Sequence, residues 1–162
     1  MALSTTRIDE LRDELGHLAD EAATSQELMQ TMVKLLHHRM LKYNWVGFYM
    51  LEPGANPPML ALGAFEGAMT PHTRIPLNQG ICGAAASSGQ TVVVDDVNKD
   101  PRYLACSLET KSEIVVPIFV RGNVVGELDI DSHFAAAFSA EHQDFVKYCA
   151  ALVGKKLEAA SA

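Results

Sequence analysis

An α+β architecture is what this chain predicts: an antiparallel sheet of five to six strands, with N- and C-terminal helices on one face and a loop-roofed pocket on the other. Three observations lead there. Apolar residues recur at helical spacing at both ends of the chain, and short runs of branched and aromatic residues, punctuated by glycine and proline, fill the middle. Two of those runs, EIVVPIFV and VVGELDID, carry the strongest hairpin signal. At 162 residues the chain is most simply a single domain, residues 1–162, and is long enough to bury a core.

Residues 6–23 and 25–42 read as helices, the second with Leu28, Met32, Leu35 and Leu36 at helical spacing. Thr24, with Glu27 three residues on, forms a capping-box pattern at its start. NWVGFYMLE, residues 44–52, reads as a strand. The proline-rich stretch 53–58 is a turn, and MLALGAF is a second strand. A short strand over 74–77 precedes a glycine-marked turn and a short helix near Gly80. Residues 91–96 form another strand, followed by an irregular loop through Asn98, Pro101 and Cys106. The hairpin is joined through Arg121, Gly122 and Asn123, and a helix over 139–158 closes the chain with Phe145, Cys149, Leu152 and Leu157 on one face.

Composition excludes several classes of function. A formal charge of −7 leaves no basic stripe for nucleic-acid phosphates and disfavours anionic membranes. No apolar run approaches the roughly 20 residues that cross a bilayer. The N-terminus is acidic and lacks the apolar core of a signal peptide. Three cysteines do not read as a secreted disulfide framework. The cytoplasm is the expected compartment, where a disulfide is transient and catalytic rather than structural.

Side chains alternate along a strand, so hairpin register decides which residues meet. If Arg121–Gly122–Asn123 is a three-residue loop, Glu113 lies opposite Asp131. Glu113, Glu127, Asp129 and Asp131 then share one face, with Ile114, Val116, Leu128 and Ile130 on the other. A two-residue Gly-Asn turn competes and would move Glu113 behind the aspartates. The first register is preferred because it separates carboxylates from aliphatics on both strands. Carboxylates so close cannot all ionise comfortably, and at least one should keep its proton and donate it to a bound oxygen. A solvated strand face is the plain alternative. A Mg²⁺ or Ca²⁺ site is another, but cysteines are poor ligands for hard ions. Zinc spacing of the Cys-x-x-Cys or His-x-x-x-His type is absent, so no metal is expected.

Cys82, in QGICGAAAS, sits near a helix N-terminus, where the dipole is expected to favour thiolate and lower its pKa; the alternative is a small apolar packing residue. Cys106 lies among polar loop residues. Cys149, on the apolar stripe of the last helix, reads as inert core. His37 and His38 read as surface residues, and His133 follows the acidic strand without a demanded role. Trp45 and Tyr49 lie on one face of their strand, as core or as a pocket wall.

The segments NWVGFYML, TRIPLNQGICGAAASSGQTVVVDDVNKDP, LACSLETKSEIVVPI and GELDIDS follow, in order, a known pattern. They resemble the free methionine-(R)-sulfoxide reductases, small enzymes built on a single GAF domain, over residues 25–155. Generic GAF domains share the strands and terminal helices but not both cysteines with KSEIVVP and LDIDS.

The resemblance implies reduction of the free amino-acid sulfoxide through a cysteine sulfenic acid and an intramolecular disulfide. It implies that Cys106 is the attacking cysteine and Cys82 its partner. It also implies that Glu113, Asp129 and Asp131 hold the substrate, with Trp45 and Tyr49 around its methyl end. Asp129 is expected to bind the ammonium, and Glu113 or Asp131 to supply the proton. Thioredoxin is the expected reductant, no organic cofactor or metal is implied, and a helix-mediated homodimer is a reasonable expectation. Many members carry a third cysteine where this chain has His72, which removes one resolving thiol. Two rival readings are a ligand-binding GAF sensor and a thiol peroxidase. The chain carries no output domain and lacks the Phe and Asp-Glu that follow NKD in cyclic-nucleotide-binding GAF domains. A neutral peroxide, for its part, has no amine for the carboxylates to recognise.

Overall fold

The computed structural model describes residues 2–104 and 107–160, with side chains from residue 7 onward. Cys106 lies outside the described residues. Helices α1 (Ala2–Glu21) and α2 (Ser25–Arg39) are followed by strands β1 (Trp45–Leu51), β2 (Met59–Glu66) and β3 (Arg74–Pro76). Helix α3 (Gly80–Ser88), strand β4 (Val92–Val94) and a short 3₁₀ turn (Val97–Lys99) lead into the hairpin β5 (Ser112–Val120) and β6 (Asn123–Ser132). Helix α4 (Ala140–Ala160) ends the chain. Every strand pairing is antiparallel, in the order β3-β2-β1-β6-β5-β4, as the α+β reading expects. Among the described residues, no helix is long and apolar enough to cross a membrane.

The start of α2 departs slightly from a capping box. Thr24 Oγ1 accepts from the Glu27 amide at 3.1 Å, but Glu27 Oε2 returns to the amide of Ala23, at 2.8 Å, rather than to that of Thr24. The Glu27 amide, one of the free N–H groups of the helix, is satisfied, and the returning carboxylate takes the amide just before the cap.

The sheet separates two cores. On one face α1, α2 and α4 pack Leu11, Leu15, Met32, Leu36 and Phe145 against Phe48, Ile114, Leu128 and Ile130. Each such side chain stabilises the fold by about 1.5–3 kcal/mol when fully buried. Cys149 belongs to this core and is fully buried, and burial pushes its thiol pKa up, consistent with the inert role expected for it. On the opposite face Trp45, Tyr49, Leu60, Ile75, Val97 and Val115 meet the underside of α3.

The hairpin reaches the expected register by an unexpected route. Its turn has two residues, Arg121 and Gly122, both at positive φ (51° and 80°), as a primed turn between twisted strands requires. Val120 pairs with Asn123, a register that by itself would set Glu113 opposite Ile130. An irregularity between Ile118 and Phe119 adds one residue and restores Glu113 opposite Asp131. Neither the three-residue loop nor the Gly-Asn turn forms. The face assignment holds nevertheless. The Arg121 amide, which donates to Glu158 Oε2 at 3.0 Å, ties this turn to α4.

Candidate functional site

Alternation along β5 and β6 turns Glu113, Glu127, Asp129 and Asp131 toward the face under α3, and none is a solvated strand residue. All four are at most 4% exposed. β1 lies beside β6 with Trp45 opposite Asp131 and Tyr49 opposite Glu127, so both aromatic rings share the carboxylate face. Gly47, between them, is bare for a reason: a Cβ there would lie 2.3 Å from Trp45 Cη2. Trp45 stacks on Tyr49 and Phe65, with ring centroids 6.2 and 5.8 Å away. Trp45 Nε1 donates to the Ala68 carbonyl at 3.0 Å, and the Tyr49 hydroxyl donates to the His72 carbonyl at 2.7 Å. These bonds draw the β2–β3 connection over the site.

Helix α3 closes the site from above. At Gly83 a Cβ would approach the Leu77 carbonyl oxygen at 2.8 Å, so only glycine lets the helix settle this low. Cys82, in the first turn, thereby reaches the sheet, and its thiol donates to Asp129 Oδ2 at 3.3 Å. Tyr49, His72, Cys82, Leu104, Glu113 and Asp129 border a cavity of about 20 Å³. That is room for about one water molecule. Leu104 also borders an outer groove of about 390 Å³ and separates the two spaces. A larger cleft of about 400 Å³ between β5 and α4, lined by Phe119, Lys147, Lys155 and Glu158, brings together neither cysteines nor paired carboxylates.

Electrostatics follow from burial without compensation. Among the described residues none of Glu113, Glu127 and Asp129 forms an ion pair. Burial, and then the charges of Asp129 and Asp131, hold the Glu113 carboxyl well above the usual range. Glu127 is also pushed well up, by burial and then by Asp129, with the nearby Cys82 thiol opposing the shift, although neither carboxylate oxygen meets hydrogen-bond geometry with a partner. Burial raises Asp129 too, while hydrogen bonds with Glu113, Cys82 and Asp131 oppose the shift. The direction is the one expected: burial and mutual repulsion push these carboxyls upward.

The expectation for Cys82 is overturned. Its thiol pKa is raised well above the ordinary value, first by burial and then by the neighbouring charges of Asp129, Glu127 and Glu113. A helix N-terminus supplies about 0.3–1 kcal/mol, under one pKa unit, and cannot outweigh a fully desolvated thiol among carboxylates.

The cluster should leave a signature in stability. A carboxyl whose folded pKa exceeds its unfolded value keeps a proton that the unfolded chain has lost. Stability from such a group is fully present below the unfolded value, about 4.3 for Glu, and is lost as pH rises through the raised folded value. Each unit of separation is worth about 1.4 kcal/mol. In EDTA buffer the urea midpoint of the wild type is expected to decline with rising pH, and Glu127→Gln to flatten that decline. Parallel slopes in the two proteins would show that Glu127 carries no linked proton.

Sequence alternation places Glu127 on this face but assigns it no role, and His72 enters the sequence reading only as a missing cysteine. In the folded chain His72 borders the cavity beside Cys82. Of the expected residues, Cys82, Glu113, Asp129, Asp131, Trp45 and Tyr49 come together here. His37 and His38 lie on α2, remote from the pocket face.

Residues 24–157 match the family model described as GAF domain. The chain is 34% identical over 146 residues to the free methionine-R-sulfoxide reductase of Escherichia coli, covering 90% of this chain and 85% of that one. It is 41% identical over 113 residues to the protein of the same name from Saccharomyces cerevisiae, covering 69% and 62% respectively. The solved structure of a free methionine-R-sulfoxide reductase from Neisseria meningitidis, in complex with its substrate, superposes with a TM-score of 0.88 at 32% identity, covering 95% of this chain and 90% of that chain.

Proposed function

This chain belongs to the GAF domain family and, within it, to the free methionine-R-sulfoxide reductases, which are oxidoreductases; from that premise we propose that it reduces free L-methionine-(R)-S-oxide to L-methionine. The observation that carries the reading is the buried carboxylate cluster with a thiol bonded into it. Such a cluster calls for a cationic occupant, and the ammonium of a free amino acid supplies one. A residue within a polypeptide has no such ammonium.

The chemistry is thiol-based. A sulfoxide sulfur becomes electrophilic once its oxygen is protonated, and a carboxyl kept neutral by burial is suited to that task. Glu113 or Asp131 is the donor, and Asp129 holds the ammonium. The Cys106 thiolate attacks sulfur, the protonated oxygen passes to the Cys106 sulfur as its bond to the substrate sulfur breaks, and methionine leaves with Cys106 as a sulfenic acid. Cys82 then condenses with it, forming a disulfide and releasing water. The two electrons come from the two thiols. The Cys82–Asp129 bond supports this order: a thiol held protonated is a poor first attacker, and Asp129 accepts its proton when the second step begins. Tyr49 borders the space for the methyl end, with Trp45 stacked behind it. Thioredoxin resets the disulfide by thiol–disulfide exchange. A homodimer through the helices and a cytoplasmic setting complete the proposal.

The test is a turnover assay with separated epimers, coupled to thioredoxin and its reductase. Free methionine-(R)-sulfoxide is expected to be consumed, with the S epimer and an oxidised protein almost untouched. Comparable rates on both epimers, or on the oxidised protein, would sink the reading. A chain that binds the sulfoxide without consuming it would be a sensor.

A further inference from the structure

We propose that Cys82, Glu113 and Asp129 form a binding site for one thiophilic divalent cation of the zinc class, at the small cavity under α3. One ligand atom from each residue, the Cys82 sulfur and a carboxylate oxygen of Glu113 and of Asp129, lies within 4.8 Å of both others. The three come from α3, β5 and β6, so no spacing within the sequence displays them together. The cluster is also short of partners in a way that points to a cation. Asp129 Oδ1 and both oxygens of Glu127 are buried without a hydrogen bond, and Glu127 is fully buried beside Cys82 and Asp129. Such groups cost free energy unless something positive or proton-donating reaches them.

The donor set and the space select the class of ion. Mg²⁺ and Ca²⁺ require six or more oxygen ligands, and a cavity of about 20 Å³ has no room for the waters that would complete the shell. Zinc accepts sulfur and carboxylate donors in a tetrahedron, so three protein ligands leave one position for water. His72 borders the same cavity. On binding, the protons of the Cys82 thiol and of the Glu113 carboxyl go to solvent as the sulfur–metal and oxygen–metal bonds form, with no change of oxidation state. A metal-bound Cys82 cannot resolve a sulfenic acid. Zinc would therefore hold the enzyme in check, and the sulfoxide and the ion would exclude one another. These consequences for the enzyme rest on the reductase reading; the metal site itself does not.

Cobalt(II) is the probe, because its thiolate complexes absorb visibly. Titration of the reduced wild type is expected to give a thiolate-to-cobalt charge-transfer band saturating at one equivalent per chain, and Zn²⁺ should bleach it. The band should vanish in Cys82→Ser and persist in Cys149→Ser and Cys106→Ser. Glu113→Gln and Asp129→Asn should each weaken binding at least about tenfold, a loss typical even of outer-shell partners. No band in the wild type overturns the proposal without reference to any variant. So does a band that survives Cys82→Ser, or one lost in Cys106→Ser with circular dichroism unchanged. Free methionine-(R)-sulfoxide should raise the apparent cobalt dissociation constant. If it does not, while the band still depends on Cys82, the metal site stands and the placement of the substrate in this cavity falls.

Discussion

Cys106→Ser is expected to abolish methionine formation completely, even in a single turnover, whereas Cys82→Ser is expected to release about one methionine per site and then stop. The difference follows from the setting of Cys82. Cys82 is buried, bonded to Asp129 and surrounded by carboxylates that disfavour its thiolate. A group so placed suits the later step, when a sulfenic acid is already waiting and Asp129 can take the proton. Removing it leaves the first chemical event intact. The stalled Cys82→Ser enzyme should carry a sulfenic acid that reacts with a dimedone-type reagent and appears as one adduct by mass spectrometry. Quenched-flow measurement of methionine per site gives the stoichiometry. If Cys82→Ser loses the first methionine and Cys106→Ser keeps it, the roles are reversed.

Glu113→Gln is expected to lower the rate at saturating substrate on the order of the 10²–10⁴-fold typical of general acid catalysis, while Asp129→Asn mainly raises the Michaelis constant. Glutamine preserves the size of the buried side chain and can donate a hydrogen bond, but it has no proton to transfer. Burial and two neighbouring charges push the Glu113 carboxyl well up, toward the neutral state that a donor needs. Activity through such a donor is present below its raised pKa and fades as pH rises through it. Asp129 is less strongly shifted because Glu113, Cys82 and Asp131 share hydrogen bonds with it, and a charge there pairs with the substrate ammonium before and during reaction. Steady-state kinetics on both variants across pH separate the two effects. A Glu113→Gln enzyme with wild-type kcat would transfer the donor role to Asp131.

Much of the architecture is legible in the chain because its signals are local. Alternation of Glu113 with Ile114 and of Asp129 with Leu128 and Ile130 marks two faces of a hairpin, and α2 advertises both its cap and its stripe. The register is a subtler matter. A three-residue loop leads to the right partner for Glu113, yet the chain reaches it with a two-residue turn and an irregularity one pair away. Bulges leave little trace in residue type, which is why Phe119 gives no warning. The error over Cys82 has a different origin. Its helix is local and visible, but its burial depends on Gly83 seating α3 against the Leu77 carbonyl and on carboxylates from two later strands. Likewise His72 is only a departure from a pattern until folding sets it at the cavity wall. Contacts between distant segments carry the chemistry here, and single-sequence periodicity does not encode them.

The sheet ends, on both sides, in strands of only three residues, β3 and β4. Unpaired backbone along a sheet edge is a template on which another chain can grow. Here the template is shorter than a typical strand of five or six residues. Pro76 in β3 contributes no N–H to a recruited neighbour, and Asp95 and Asp96 follow β4 at once with two negative charges. A protein with nearly half its residues hydrophobic thus keeps β1 and β6 flanked by strands on both sides, while β3 and β4 each cover three residues of β2 and β5. Along β3 and β4 themselves, edge-to-edge addition is confined to a ladder of three residues on each side.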